Sequence, residues 1–158
     1  MSFDEAPTAQ LEALFRRIHA TEMAGMPVLN PALAVEALGF RRCAYGWLGI
    51  LITPWFMNLM LLPAAGLPWT SPPPGKPRSM AFPSGDYVFT ADGDAALGEY
   101  LSCRLFSPMH PFSGQEAART AARAALEAVW TAPPAADETV VPGKRRLLRG
   151  ILRASREA

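Results

Sequence analysis

The stretch Trp47-Leu-Gly-Ile-Leu-Ile-Thr-Pro-Trp-Phe-Met-Asn-Leu-Met-Leu-Leu-Pro63 is almost wholly apolar and is broken once, at Thr53-Pro54. A membrane-spanning helix needs about 20 consecutive apolar residues, and a proline in mid-run removes a backbone hydrogen-bond donor. The pattern therefore predicts two buried strands, at 41–52 and 55–62, joined at the break. Because Trp55 and Phe56 follow the proline directly, we expect an apolar contact surface for a partner protein there.

Two helices are predicted outside this hairpin. Apolar spacing indicates a first helix at about residues 9–24, with Thr8 as its N-cap and Gly25 at its end. Ser113 and Glu116 fit a capping box ahead of an alanine-rich helix that Pro133-Pro134 ends. The apolar stripe of this second helix is Ala118, Ala122, Ala125, Leu126 and Val129.

The remaining pattern predicts more strands. Strands are expected at 87–90 and 98–107, separated by a turn at 91–94, and connections are expected at 26–40 and 63–78. Together with the hairpin these make an antiparallel sheet of about four to five strands. The predicted fold class is therefore α+β, in two layers, with an N-terminal helix and an alanine-rich C-terminal helix.

Charge is divided unevenly along the 158 residues. Residues 144–158 carry a net charge of +5 and the rest carries −4, although the whole chain has only +1. We interpret residues 1–132 as a single domain, 133–143 as a linker and 144–158 as a basic tail. The first ten residues contain acids and no apolar run, so no signal peptide is predicted and the cytoplasm is the expected location.

Residues able to do chemistry are scarce. The two cysteines, Cys43 and Cys103, and the two histidines, His19 and His110, show no metal-ligand spacing. His19 is interpreted as a surface histidine. A nucleophilic Cys103–His110 pair ranks last among the hypotheses, so no catalytic, cofactor or metal residue is predicted and the chain is not expected to be an enzyme. A role of either cysteine in iron–sulfur or thiol chemistry remains an alternative.

Several blocks, in order along the chain, resemble the HybE-type nickel–iron hydrogenase assembly chaperones. The most specific is Thr53-Pro-Trp-Phe-Met-Asn58, inside the opening stretch. The resemblance covers nearly the whole chain, through 28–33, 36–40, 47–49, 53–63, 82–89, 100–103, 105–108 and 143–150. It implies a two-layer α+β fold, which agrees with the independent reading of the residues.

The resemblance also implies a function. Such proteins hold the hydrogenase small-subunit precursor, which bears iron–sulfur clusters and a twin-arginine signal peptide, until assembly is complete. Alternative implications are binding of the large subunit, or help in forming or protecting an iron–sulfur cluster together with a rubredoxin-like partner. No cofactor, nucleic-acid partner or stable membrane insertion is expected.

The predicted partner-binding residues lie at two exposed strand-to-turn transitions and in the basic tail. Methionine and aromatic side chains beside a proline suit a surface that accepts variable apolar segments. The tail has three readings: a solvated helix or disordered arm, which is the commonest for such a segment, a nucleic-acid contact, or docking onto a partner surface, to which Arg145 and Arg146 are assigned. The predicted residues are Thr53, Pro54, Trp55, Phe56, Met57, Asn58, Phe106, Ser107, Pro108, Met109, Arg145 and Arg146.

Overall fold

The computed structural model describes residues 2–73 and 75–133, and these form one six-stranded sheet with two helices. The strand order is β1-β2-β3-β6-β5-β4, and every neighbouring pair is antiparallel. The α+β class with an antiparallel sheet is confirmed, with six strands rather than four or five. The elements are α1 (Thr8–Thr21), β1 (Glu36–Cys43), β2 (Gly46–Ile52), β3 (Met57–Leu62), β4 (Arg78–Phe82), β5 (Gly85–Asp94), β6 (Gly98–Phe106) and α2 (Gln115–Trp130).

The opening stretch forms the predicted hairpin, β2 and β3, with Trp47 opposite Leu62 and Ile52 opposite Met57. The predicted strand at 41–52 is nevertheless two strands, because the chain turns at residues 44–45. Gly46 sits at φ 142° beside the Leu62 carbonyl, a position that only glycine accepts. The extra strand, β1, takes in residues 36–40, which were predicted as part of a connection.

Local turn and cap chemistry differs from the prediction at three places. The predicted turn at 91–94 belongs to β5, and the chain turns at 95–97, where the Asp94 carboxylate accepts hydrogen bonds from two backbone amides. Thr8 is the first residue of α1 rather than its cap. The capping box at Ser113 is also wrong, since Gly114 is the N-cap and makes no side-chain bond. Glu116 pairs instead with Arg119, at 2.9 Å.

The sheet is covered on both faces, because side chains alternate along each strand. On β3, Leu59 and Leu61 join the core under α2, whereas Met60 and Leu62 join the core under α1. The helices therefore lie on opposite faces, which adds a layer to the predicted two. All five residues of the predicted α2 stripe are buried, and the small alanines let this helix lie close to the sheet.

The sheet curls around α2. Its two edge strands, β1 and β4, both reach Trp130 near the end of that helix: the Arg41 guanidinium lies 4.1 Å from the centre of the indole ring, and the Phe82 ring lies 5.6 Å away. The backbone amide of Ser84 also donates to the Val129 carbonyl, at 3.2 Å. None of the helices in the described part of the chain is long and apolar enough to cross a membrane.

Candidate functional site

Two of the predicted binding segments meet at one end of the sheet. Met57, the first residue of β3, is paired with Phe106, the last residue of β6. The turns that adjoin these residues therefore lie side by side, and the Ser107 hydroxyl donates to the Trp55 carbonyl at 3.4 Å. Segments about fifty residues apart in sequence thus form one continuous surface.

Thr53 shapes the first turn from inside. Its hydroxyl accepts hydrogen bonds from the backbone amides of Trp55 at 3.2 Å and of Phe56 at 2.9 Å, and its own amide donates to the Phe56 carbonyl. Thr53 and Pro54 were expected to be exposed, but both are buried. Bonds from a side chain to its local backbone fix the turn and leave Thr53 no free face for a partner.

The expected exposure is also wrong at three other positions. Met57 and Met109 are fully buried in the core under α2, and Asn58 is only 7% exposed on the opposite face. The local pattern gave no sign that long-range packing covers these side chains. Arg145 and Arg146 lie outside the described residues. The accessible remainder is called the exposed turn surface here, and it consists of the partly buried Trp55, Phe56 and Phe106 and the exposed Ser107 and Pro108.

Asn30, which the sequence reasoning missed, ties the two turns together. Its backbone amide donates to the Pro54 carbonyl at 2.8 Å, and its side-chain Nδ2 donates to the carbonyls of Met109 at 2.9 Å and Phe112 at 2.8 Å. The side chain is 7% exposed. The sequence does contain a signal that could have identified Asn30: it is the one polar residue in the otherwise apolar block 28–33, and a proline follows it.

The first helix holds the aromatic side chains of the first turn. The Phe15 ring packs edge-on against Phe56, with ring centres 5.7 Å apart, and Trp55 and Phe56 pack against each other at 5.5 Å. His19, interpreted as a surface residue, is half-buried with its ring 5.8 Å from Trp55. These contacts preorganise the two aromatic rings, so less side-chain entropy is lost when a partner binds.

A recess of about 210 Å³ opens beside this cluster, between α1 and strands β3, β6 and β5. Phe15, Phe56 and Tyr100 line it, and Asn58, Asp92 and Arg104 supply polar groups. Burial raises the pKa of the Tyr100 phenol above its usual value, and the nearby Asp92 and Asp94 carboxylates add to the effect. The Asn58 Oδ1 atom is buried and has no hydrogen-bond partner among the described residues.

A family model for the NiFe-hydrogenase assembly chaperone HybE matches residues 6–150. The chain belongs to the HybE family. The resemblance drawn from the sequence blocks is thereby confirmed, and with it a role in hydrogenase assembly. The exposed turn surface and the recess both lie within the matched residues.

Relatives of the HybE family include the hydrogenase expression/formation protein HupT of Azotobacter chroococcum mcd 1, 46% identical over 76% of this chain and 79% of that protein. The probable rubredoxin HupJ of Rhodobacter capsulatus is 41% identical over 77% of this chain, which spans only 44% of that protein. The solution structure of HybE from Escherichia coli superposes with a TM-score of 0.67 at 22% identity, over 90% of this chain and 83% of that one. This likeness supports the fold.

The cysteines and histidines do not form a recognisable site in this HybE-family chain. Cys103 is completely buried in the core under α2, Cys43 is partly buried and His110 is exposed. A nucleophilic thiol must reach its substrate, so the buried position of Cys103 disfavours the Cys103–His110 hypothesis. Within residues 2–73 and 75–133, no three His, Cys, Asp or Glu side chains converge to hold a metal ion.

Proposed function

We propose that this chain binds the precursor of a hydrogenase small subunit during assembly, without catalysis, through the exposed turn surface. The observation that carries the proposal is the contact between Ser107 and the Trp55 carbonyl, which joins two turns into one surface. Tryptophan is enriched among the residues that carry most of the binding energy at protein–protein interfaces, and Trp55 is partly accessible. Membership of the HybE family supplies the hydrogenase context.

Charge supports the choice of partner. Residues 1–143 carry a net charge of −4, so they attract a positively charged segment such as the start of a twin-arginine signal peptide. The apolar part of a signal peptide would then cover Trp55 and Phe56. Holding a precursor before export requires the protein to act in the cytoplasm. Arg145 and Arg146 of the tail are proposed to add contacts to the mature body of the partner.

The test is co-purification of the tagged chain with the small-subunit precursor, with and without its signal peptide, and separately with the large subunit. We expect the complete precursor to be captured, and Trp55→Ala to weaken capture at least ten-fold. Trp69→Ala is the matched control: Trp69 is also partly buried, but it lies beside Tyr45, Leu61 and Leu101 at the other end of the sheet.

The outcomes separate the partners. Preference for the large subunit would contradict the proposal, and binding that persists without the signal peptide would assign the contact to the mature body. Ser107→Arg places a bulky charge on an exposed position and guards against a Trp55 variant that folds poorly. Full binding by both folded variants would place the contact elsewhere on the molecule.

A second candidate function is assistance in iron–sulfur cluster formation with a rubredoxin-like partner. The observation in its favour is that one relative is named a probable rubredoxin and extends well beyond the matched region. This chain alone is not expected to ligate a complete iron–sulfur cluster, because such a cluster takes four thiolates and the chain has two cysteines. Unchanged hydrogenase maturation in air by a Cys43→Ser, Cys103→Ser double variant would exclude a role for these thiols.

A further inference from the structure

The chain leaves α2 at the same end of the sheet as the exposed turn surface. The carbonyl of Val129, in the last turn of that helix, accepts a hydrogen bond at 3.2 Å from the backbone amide of Ser84, which lies between β4 and β5. Because β5 and β6 are antiparallel, the start of β5 lies beside the end of β6, where Phe106 is paired with Met57. Residues 134–158 therefore begin near the exposed turn surface.

The distance across the sheet is short compared with the length of the linker. Neighbouring strands lie about 4.8 Å apart, so β5 and β3 are separated by about 10 Å, with β6 between them. Residues 134–143 can span up to about 33 Å when extended, at about 3.3 Å per residue. A segment that starts at residue 144 can therefore reach Trp55 and Phe56 without any change in the described fold.

The start of the tail has the chemistry that the exposed turn surface is proposed to accept. Residues 144–146 are all basic, and four of the six residues at 147–152 are leucine or isoleucine. Positive charge followed by apolar side chains is also the order found in a signal peptide. The tail carries +5 and residues 1–143 carry −4, so the two parts of the chain attract each other. Near the surface the exposed Asp86 and Arg104 have opposite charges, which leaves the affinity to apolar contact.

We propose that residues 144–152 dock on the exposed turn surface of the same molecule and compete there with the precursor. The apolar side chains of the segment cover Trp55 and Phe56 while the surface is free of a partner. Binding of the precursor displaces the segment, which releases Arg145 and Arg146 for contact with the mature body of the partner. The competition rests on the proposed function, whereas the docking does not.

The expected competition is modest. A short flexible linker gives the tail an effective concentration in the millimolar range, about 1–4 mM. A segment with a dissociation constant of about 1 mM then occupies the surface in at least half of the molecules. The apparent affinity for the precursor falls by one plus the ratio of these two quantities, which is about two- to five-fold.

The docking is tested in the full chain, with its four tryptophans as probes. A glutamine variant removes the apolar side chains of the segment and keeps every charge; its substitutions are L147Q, L148Q, I151Q and L152Q. Nuclear magnetic resonance of the indole N–H groups should show a different Trp55 signal in the unaltered chain and in the glutamine variant. The signals of Trp47 and Trp69 should not change, because both residues lie at the other end of the sheet.

The matched control removes apolar side chains from the linker instead. Val140→Gln together with Val141→Gln should leave the Trp55 signal where it is in the unaltered chain. A synthetic peptide of residues 143–158, added to the glutamine variant, should move the Trp55 signal back towards that position. An identical Trp55 signal in the unaltered chain and the glutamine variant, or an equal change in the linker control, would overturn the docking.

The competition is tested by measuring the affinity of the full chain for the small-subunit precursor. The glutamine variant should bind about two- to five-fold more tightly than the unaltered chain, because its surface is no longer occupied. The linker control should bind like the unaltered chain. Equal or weaker binding by the glutamine variant would contradict the competition. If neither form bound the precursor, the proposed function would fail, and the indole signals would still decide whether the tail docks.

Discussion

Two buried asparagines should lose very different amounts of stability on the same substitution. Asn30 and Asn58 are each 7% exposed, so replacement by alanine removes the same atoms from similarly buried positions. They differ in hydrogen bonding. The Asn30 side chain donates to Met109 and Phe112 and accepts from the Ala32 amide, whereas the Asn58 oxygen has no partner among the described residues.

The expected magnitudes follow from these bonds. Asn30→Ala removes three hydrogen bonds worth about 0.5–1.5 kcal/mol each, so the free energy of unfolding should fall by about 2–4 kcal/mol. Asn58→Ala removes an unsatisfied oxygen, and the recovered desolvation energy of about 1–3 kcal/mol offsets the packing that is lost. That variant should therefore stay within about 1 kcal/mol of the unaltered chain. Because the deleted atoms are the same, their packing contributions largely cancel between the two variants.

Urea unfolding followed by tryptophan fluorescence measures this difference. With a slope of about 2 kcal/mol per molar urea, Asn30→Ala should lower the midpoint by about 1–2 M. Asn30→Asp keeps the acceptor for Ala32 but places a carboxylate against two carbonyls, so at neutral pH it should be no more stable than Asn30→Ala. Equal midpoints for the Asn30→Ala and Asn58→Ala variants would refute the reasoning, as would greater damage from Asn58→Ala.

Three further predictions concern the frame around the site. Gly39→Ala forces a side chain onto φ 71° and against α2, so it should cost about 1–3 kcal/mol in urea unfolding, whereas Gly114→Ala, with open space, should cost less than about 1 kcal/mol. Glu36→Gln weakens the two-oxygen contact with Arg119, at 2.8 and 3.0 Å, so it should lower the midpoint slightly at low salt and not at about 1 M salt. Because the pKa of Tyr100 is raised in the folded chain, the unfolded chain releases the phenol proton at lower pH, and the free energy of unfolding should fall above about pH 10. Tyr100→Phe should make this fall less steep. An unchanged slope of the free energy of unfolding against pH would contradict the prediction.

Local sequence patterns were sufficient to predict the elements at the centre of the fold. The hairpin of β2 and β3 follows from an apolar run with one Thr-Pro break, and α2 follows from alanine spacing ended by proline. Turns inside apolar or polar runs were harder to place. Asp92-Gly93 and the residues after Asp94 both carry turn chemistry, and only the pairing of β5 with β6 selects the second.

At the candidate site, the position of the turns could be predicted from the sequence, but the exposure of their side chains could not. Proline and aromatic residues marked the turn at 53–56 and the segment at 107–109, but their exposure depends on contacts made far away in sequence. Phe56 is half covered by α1, and Asn30 reaches Met109 across 79 residues. No periodicity reports such a contact, because hydrogen bonds between distant segments follow from the tertiary packing rather than from the local pattern.

Asn30 and Trp55 separate a residue that holds the exposed turn surface from one that is proposed to contact a partner. Asn30 fixes both turns, so its loss should lower stability and binding together. Trp55 differs from Asn30, because its ring is partly packed against α1 and partly accessible. A variant series ordered by binding loss at equal stability would therefore locate the contact, and it would do so without a structure of the complex.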